Sequence, residues 1–191
     1  MDLVIGLSSY PAGGKDFIAD LIAKKYHFFK VSPGEIIRKL MKKEKIEINR
    51  ENEIKYSTML RKKNGSEFIM KLCYEHAKEE GASKIVIAGV RTLGDLRFFR
   101  DASYIFFKNI FISAPAKLRY ERSLKRERDD SPRSFEEFLK EDKLEEKTFN
   151  LSKIKLASDF ILVNKEKEKM EKNLDKIMKK ILEEYKKYKK E

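Results

Sequence analysis

Residues Ser9 to Asp16 read Ser-Tyr-Pro-Ala-Gly-Gly-Lys-Asp, between the apolar run Leu3–Leu7 and the amphipathic run that begins at Phe17. A buried strand, a loop of small residues closing on Gly-Lys, and a helix form the local arrangement that holds a nucleotide triphosphate. Gly13 and Gly14 let the backbone wrap a polyphosphate. Its N–H groups form an anion nest, and the helix N-terminus adds the positive end of its dipole. Lys15 supplies a mobile cation for the β- and γ-phosphates. Ser9, Ala12, Gly13, Gly14, Lys15, Asp16 and Phe17 are therefore the candidate donor-binding residues. The strict pattern has glycine where this chain has Ser9 and a hydroxyl residue where it has Asp16. A plain strand–turn–helix is the alternative, and the flanking strand and helix favour the phosphate loop.

Arginines recur where phosphates need them. After the second apolar run comes Val31-Ser32-Pro33-Gly34-Glu35-Ile36-Ile37-Arg38. Ser32 can cap a helix that starts near Pro33, and Arg38 stands one turn into it. A planar, always-charged guanidinium there suits a bidentate phosphate contact. Gly89-Val90-Arg91 follows the third run in the same way. Arg61, in Met59-Leu60-Arg61-Lys62-Lys63, is either a third such group or surface decoration. In the stretch from Arg119 to Asp130 a helix places Arg119, Arg122 and Arg126 on one face, with Arg128 beyond. That helix is either a solvated charged surface or a lid delivering arginines onto a transferring phosphoryl group, where one arginine is worth ~10³–10⁵ in rate.

Short apolar runs must position these groups. Leu3–Leu7, His27–Val31, Lys84–Ala88, Asn109–Ser113 and Phe160–Val163 read as strands separated by helical stretches. Most are continuously apolar, as strands of a parallel sheet covered on both faces are. The expected fold class is α/β, a three-layer αβα sandwich around a five-stranded parallel sheet with right-handed crossovers. Ligands of such sheets lie beyond the carboxyl ends of the strands, where the arginines fall. Gly34 to Gly81 is longer than a crossover needs and predicts a small helical arm, broken at Asn64-Gly65-Ser66 with Ser66 as a candidate N-cap. From Lys165 a Lys/Glu helix carries Met170, Leu174, Ile177, Ile181, Tyr185 and Tyr188 as one buried stripe. The 191 residues divide into a core (1–33, 82–118 and 148–191), an acceptor arm (about 34–81) and a lid (about 119–147).

Composition narrows the classes. A net charge of +12 favours anionic partners, nucleotides first, with nucleic acid less favoured. A single cysteine, Cys73, excludes an internal disulfide and points to a reducing, cytoplasmic setting. It sits in a helical apolar pattern and reads as a core thiol. With only His27 and His76 available, a histidine-based metal site is disfavoured. No apolar stretch reaches membrane-spanning length, so no membrane partner is expected. A monomer or homodimer is expected.

The ordered set of phosphate loop, Ser-Pro-Gly-Glu-x-x-Arg, Gly-Val-Arg and an arginine-rich segment ending in Asp129-Asp130 resembles the nucleoside monophosphate kinases. It is similar also to the archaeal adenylate-kinase-like and dephospho-CoA-kinase-like P-loop proteins. Gly13 to Ile22 resembles phage-type deoxynucleoside monophosphate kinases in particular. The closing segment Leu151 to Asn164 is shared by several of these groups, and the likeness spans roughly residues 3 to 182.

That resemblance implies a P-loop phosphotransferase using ATP and Mg²⁺ on a small nucleotide acceptor. Gly13, Gly14 and Lys15 would hold the donor phosphates. Ser32, Gly34, Arg38, Arg61, Gly89 and Arg91 would hold the acceptor, with Arg91 on its phosphate. Arg122, Arg126 and Arg128 would form the lid set, and Asn164 would lie near the donor base. The family commonly has an acid at the position of Ala88 that helps hold Mg²⁺ through water. Asp16 either takes over that metal role, as a hard oxygen ligand, or simply caps its helix. Hydroxyl acceptors such as dephospho-CoA are a second option, less favoured because they call for a base and no carboxylate near Arg91 except Asp95 offers itself. A nucleotide-binding switch or RNA-associated ATPase is a third, and a structural α/β protein with a vestigial loop a fourth.

Overall fold

From Asp2 to Ser8 every residue of the first strand is buried, which is why this segment reads as a continuous apolar run. Leu3, Ile5 and Leu7 pack into one layer and Val4 into the other. In the computed structural model, which describes residues 1–125, 132 and 134–190, this strand β1 (Asp2–Ser9) lies at the centre of the sheet. It is followed by α1 (Lys15–Tyr26), β2 (Phe29–Val31), α2 (Pro33–Lys43), α3 (Arg50–Asn64) and α4 (Phe68–Glu79). Then come β3 (Lys84–Ala88), α5 (Leu93–Arg100), β4 (Ile105–Ser113), α6 (Ala116–Leu124), α7 (Phe135–Phe149) and α8 (Leu151–Ala157). The described chain closes with β5 (Phe160–Val163) and α9 (Lys167–Tyr188).

The five strands are all parallel, in the order β2-β3-β1-β4-β5. Chain direction across the sheet reverses at β1: the first crossovers lead to β2 and β3 on one side, the later ones to β4 and β5 on the other. Such a reversal opens a crevice beyond the carboxyl end of the central strand. One helical layer, with Ile18, Ile22, Met170, Leu174, Met178 and Ile181, covers one face of the sheet. The arm helices α2–α4 share the opposite core with α5 and α8 through Met41, Tyr56, Leu60, Met70, Cys73, Leu96 and Ile154. Gly6 is the narrow point of β1, because a Cβ there would stand 2.7 Å from Asn109 Oδ1 and 2.9 Å from Val90 Cγ2. Among the described residues no helix is long and apolar enough to cross a membrane.

Several local expectations are corrected. β2 starts at Phe29 because His27 ends α1 in a left-handed conformation, φ 59°. β4 begins at Ile105, four residues earlier than the apolar pattern suggests. Lys108 hides that start from a hydropathy reading, yet its ammonium pairs with Glu184 at 2.8 Å and lies over the Phe106 ring. Ser66 caps nothing: α4 begins at Phe68, and the Ser66 hydroxyl donates to Glu67. In α9, Met178 and not Ile177 completes the buried stripe, and Tyr188 is 41% exposed at the last turn.

Candidate phosphate-binding site

Beyond Ser9 the chain turns through residues 10–14 and enters α1 at Lys15. A bond from Gly13 N–H to the Tyr10 carbonyl, 3.0 Å, closes the turn. Ala12 (φ 55°) and Gly14 (φ 96°) are both left-handed. For Ala12 this costs ~1–2 kcal/mol, which the surrounding contacts must offset. Gly14 is required a second time, since a Cβ there would run into Asn164 Nδ2. Ser9 belongs to β1 and does not have positive φ, so glycine is not needed there. The close approach falls instead at Gly13, whose missing Cβ would stand 2.8 Å from that of Ser9.

Two loop carbonyls are gripped from outside. Asn164 Nδ2 donates to the Gly13 carbonyl at 2.9 Å, and Arg119 Nη1 donates to the Pro11 carbonyl at 3.1 Å. In a planar trans peptide the next N–H points the opposite way, so these bonds orient the N–H groups of Gly14 and Ala12. Asn164 is 5% exposed, its N–H bound to the Ser113 carbonyl and its Oδ1 to Arg122 Nη2 at 3.3 Å. Arg122 also donates to the Asn164 carbonyl at 3.1 Å. Arg119 is buried, bidentate to Asp142 of α7, and stands between the rings of Tyr10 and Phe138. Of the helix face Arg119–Arg122–Arg126, the first two therefore brace the loop. Arg126 and Arg128 lie outside the described residues, as does most of the Asp-Asp turn.

Lys15 Nζ lies 2.8 Å and 3.0 Å from the two carboxylate oxygens of Asp16. Phe17 is 44% exposed on the next position of α1. Ala88 ends β3 opposite Leu7 and is buried among apolar side chains.

On the other side of the crevice Ser32 occupies the N-cap position of α2, but its side chain makes no capping bond. Gly34 leaves room for the Arg38 guanidinium, 3.2 Å from where a Cβ would stand, and Arg38 pairs with Glu53 at 3.2 Å. Gly89, at φ 148°, packs against the Pro33 ring, drawing the ends of β2 and β3 together. The Arg91 guanidinium lies over the Phe149 ring and 3.9 Å from Glu145, both on α7. Arg61 is not surface decoration. Its Nη2 meets both oxygens of Asp95 at 3.3 Å and 3.4 Å, while its Nε has no hydrogen-bond partner among the described residues.

Asp95 is fully buried, and both of its oxygens accept hydrogen bonds. It accepts from the N–H groups of Arg91 and Thr92 at 2.9 Å and 3.0 Å, and the Thr92 hydroxyl completes a capping box at the start of α5. Both N–H groups fall on Oδ2 and Oδ1 faces Arg61, so full burial beneath that guanidinium weighs against Asp95 as the base of a hydroxyl transfer. Nearby Cys73 is buried, and burial first, then the Asp95 carboxylate, push its thiol far above the ordinary range. Asp142, Glu145 and Phe149 are the site's unanticipated members. The only available signal was their spacing, which sets Asp142, Glu145 and Phe149 along one side of a helix.

The five-stranded parallel sheet in the order β2-β3-β1-β4-β5, with a strand–loop–helix after β1, is a P-loop-kinase-like fold. The chain superposes on the shikimate kinase from Bacteroides thetaiotaomicron with a TM-score of 0.58, covering 93% of this chain and 96% of that one at 11% identity. No family model matches the chain. It is 32% identical over 191 residues to the UPF0200 protein of Methanocaldococcus jannaschii, covering 98% of this chain and 95% of that relative. The UPF0200 protein of Methanococcus vannielii is 31% identical over 182 residues, 94% of this chain and 96% of the relative. The chain belongs to the UPF0200 family.

Proposed function

We propose that the protein is an ATP- and Mg²⁺-dependent phosphotransferase that moves the γ-phosphoryl group onto the phosphate of a nucleoside or deoxynucleoside monophosphate. One observation carries this reading: a Gly-Gly-Lys loop braced by Asn164 and two arginines, Arg38 and Arg91, follow the carboxyl ends of strands of one parallel sheet. The solved kinases with this fold support a phosphoryl transfer, and the identity of the acceptor rests on the residues alone.

Lys15, on the first turn of α1, sets its ammonium on the donor's β- and γ-phosphates. Arg91 and Arg38 hold the acceptor phosphate, whose oxygen is the nucleophile, so no side-chain base is needed. Positioning and charge neutralisation do the rest. Mg²⁺ binds through one or two carboxylates plus substrate phosphates, and Asp16, the carboxylate at the loop, would hold it there together with the donor phosphates. Mg²⁺ bound there would neutralise charge on the transferring phosphoryl. The full burial of Asp95 weighs against a hydroxyl acceptor, which would call for a base.

The test is ADP release from ATP and Mg²⁺ against a panel of ribo- and deoxynucleoside monophosphates with dephospho-CoA included. Stimulation by one or more monophosphates is expected. A folded sample that binds ATP yet responds to no acceptor would defeat the kinase reading and favour a nucleotide-binding switch.

A further inference from the structure

Lys15, Arg38 and Arg91, the three cations given a phosphate in the proposed transfer, each carry a carboxylate of the chain's own. Lys15 meets Asp16 at 2.8 Å, Arg38 meets Glu53 at 3.2 Å, and Arg91 faces Glu145 at 3.9 Å. The carboxylates come from three different elements, α1, α3 and α7. Glu145 is the most enclosed of the three, with its side chain 13% exposed. Its place is fixed from within α7. Asp142, three positions earlier, clamps Arg119 and through it the phosphate loop, so Glu145 is held opposite Arg91. Phe149 covers the Arg91 guanidinium from the same helix.

We propose that Glu145 is a specificity-determining residue for the acceptor: an internal counter-ion that an acceptor phosphate must displace from Arg91, with Glu53 in the same role at Arg38. This rests on the reading of Arg91 and Arg38 as acceptor grips. A monoanionic carboxylate ligand gains little by exchanging with a carboxylate already in place. A dianionic phosphate has twice the charge and matches the guanidinium fork, so it wins the exchange. The acids therefore make the site selective for dianionic phosphate at the expense of raw affinity.

The direction of the effect separates this role from a structural one. Glu145→Gln keeps the side chain's size and removes the competing charge, so phosphate binding tightens; a residue that merely positioned Arg91 would weaken it on removal. Charges 4 Å apart in a water-like medium attract by ~1 kcal/mol, which corresponds to about fivefold in affinity.

The experiment is calorimetric titration of the full chain with nucleoside monophosphates, inorganic phosphate, and nucleosides lacking phosphate. Wild type is compared with Glu145→Gln, Glu53→Gln and the exposed charge control Glu136→Gln. Glu145→Gln and Glu53→Gln should each tighten monophosphate and inorganic phosphate about fivefold and leave nucleosides unchanged, with Glu136→Gln shifting binding less than about 1.5-fold. If Glu145→Gln does not fold, Glu53→Gln decides. Unchanged or weaker phosphate binding overturns the proposal, as does equal tightening by the charge control. Equal shifts for nucleosides overturn it too, because the effect would then not depend on the phosphate. Absence of phosphate binding in every chain also overturns it. Tighter inorganic phosphate with no monophosphate binding supports the counter-ion role while rejecting the acceptor proposed above.

Discussion

The Asn164 side-chain amide donates to the Gly13 carbonyl at 2.9 Å, joining the end of β5 to the loop after β1 across 151 positions of sequence. Arg122 of α6 returns the contact, donating to both the carbonyl and the Oδ1 of Asn164. The loop is thus held by a residue that also fixes where α6 sits, and a change at either end is felt at the other.

Replacing Asn164 by Ala should therefore act on the loop before it acts on any base. The Gly13 carbonyl loses its partner, and a buried acceptor left unsatisfied costs ~1–3 kcal/mol. A lower melting temperature is expected, together with a smaller rise on adding ATP if the proposed donor site is formed by this loop, because the loop is no longer braced. Thermal unfolding with and without ATP checks this. An unchanged melting temperature with altered base preference would instead put Asn164 against the donor base.

Arg119 supports a second prediction. Its guanidinium is buried, bidentate to Asp142, and bonded to the carbonyls of Ala114 and Pro11. Removing one partner of a buried pair strands the other, at ~3–5 kcal/mol. Arg119→Met and Asp142→Leu should each lower stability by that order in denaturant unfolding. The double variant should recover part of the loss, since no charge is then left alone. Additive losses would mean that the pair does not act as one unit.

The sheet and the loop were legible because their signals are local. Four- and five-residue apolar runs such as Lys84–Ala88 and Phe160–Val163 coincide with strands, and a Gly-Gly-Lys between a strand and a helix specifies its own backbone. The counter-charges were not legible, because their partners are distant in sequence. Nothing in the run Glu141-Asp142-Lys143-Leu144-Glu145 distinguishes Asp142, committed to Arg119, from Glu141, and only the docking of α7 decides it. Asp95 shows the same limit. Its capping role is written in Thr92-x-x-Asp95, yet the arrival of Arg61 from 34 positions away, which completes its coordination, is tertiary.

That convergence on Asp95 gives a third prediction. Asp95 holds the backbone of Arg91 and, through Arg61, ties arm helix α3 to α5. Asp95→Asn keeps one acceptor oxygen but loses the charge facing Arg61, so a loss of ~2–3 kcal/mol is expected, in the range of a hydrogen bond to a charged group. Buried Cys73 lies in the core that this junction closes. In the wild type its thiol should resist a disulfide-exchange reagent until global unfolding. In Asp95→Asn it should react at denaturant concentrations well below the midpoint, because the arm opens first. Labelling that tracks global unfolding in both proteins would show that the arm is not separately hinged on Asp95.

The last prediction concerns acid. Asp175 of α9 accepts from the Tyr26 hydroxyl at 2.6 Å and from Lys25 at 2.7 Å, and these bonds, Lys25 first, hold its carboxyl below the ordinary value of 3.8. At Asp2, burial raises the value, but the bonds from Lys78 and Tyr74 outweigh it and the net shift is also downward. A carboxyl with a depressed folded-state value takes up its proton more readily in the unfolded chain. The stability it contributes is therefore present above its unfolded-state value of roughly 4 and is lost as the pH falls through the lower folded-state value. Asp175→Asn should lower the melting temperature at neutral pH and flatten the decline below about pH 4 relative to wild type. Asp175 is 43% exposed, so solvent screens the pair, the neutral-pH difference is small, and it should shrink further in ~1 M salt. Scanning calorimetry between about pH 7 and pH 2 checks both limbs. Parallel acid declines in the two proteins would remove Asp175 from the cause and leave Asp2, at the start of β1, to be tested with Asp2→Asn by the same scan.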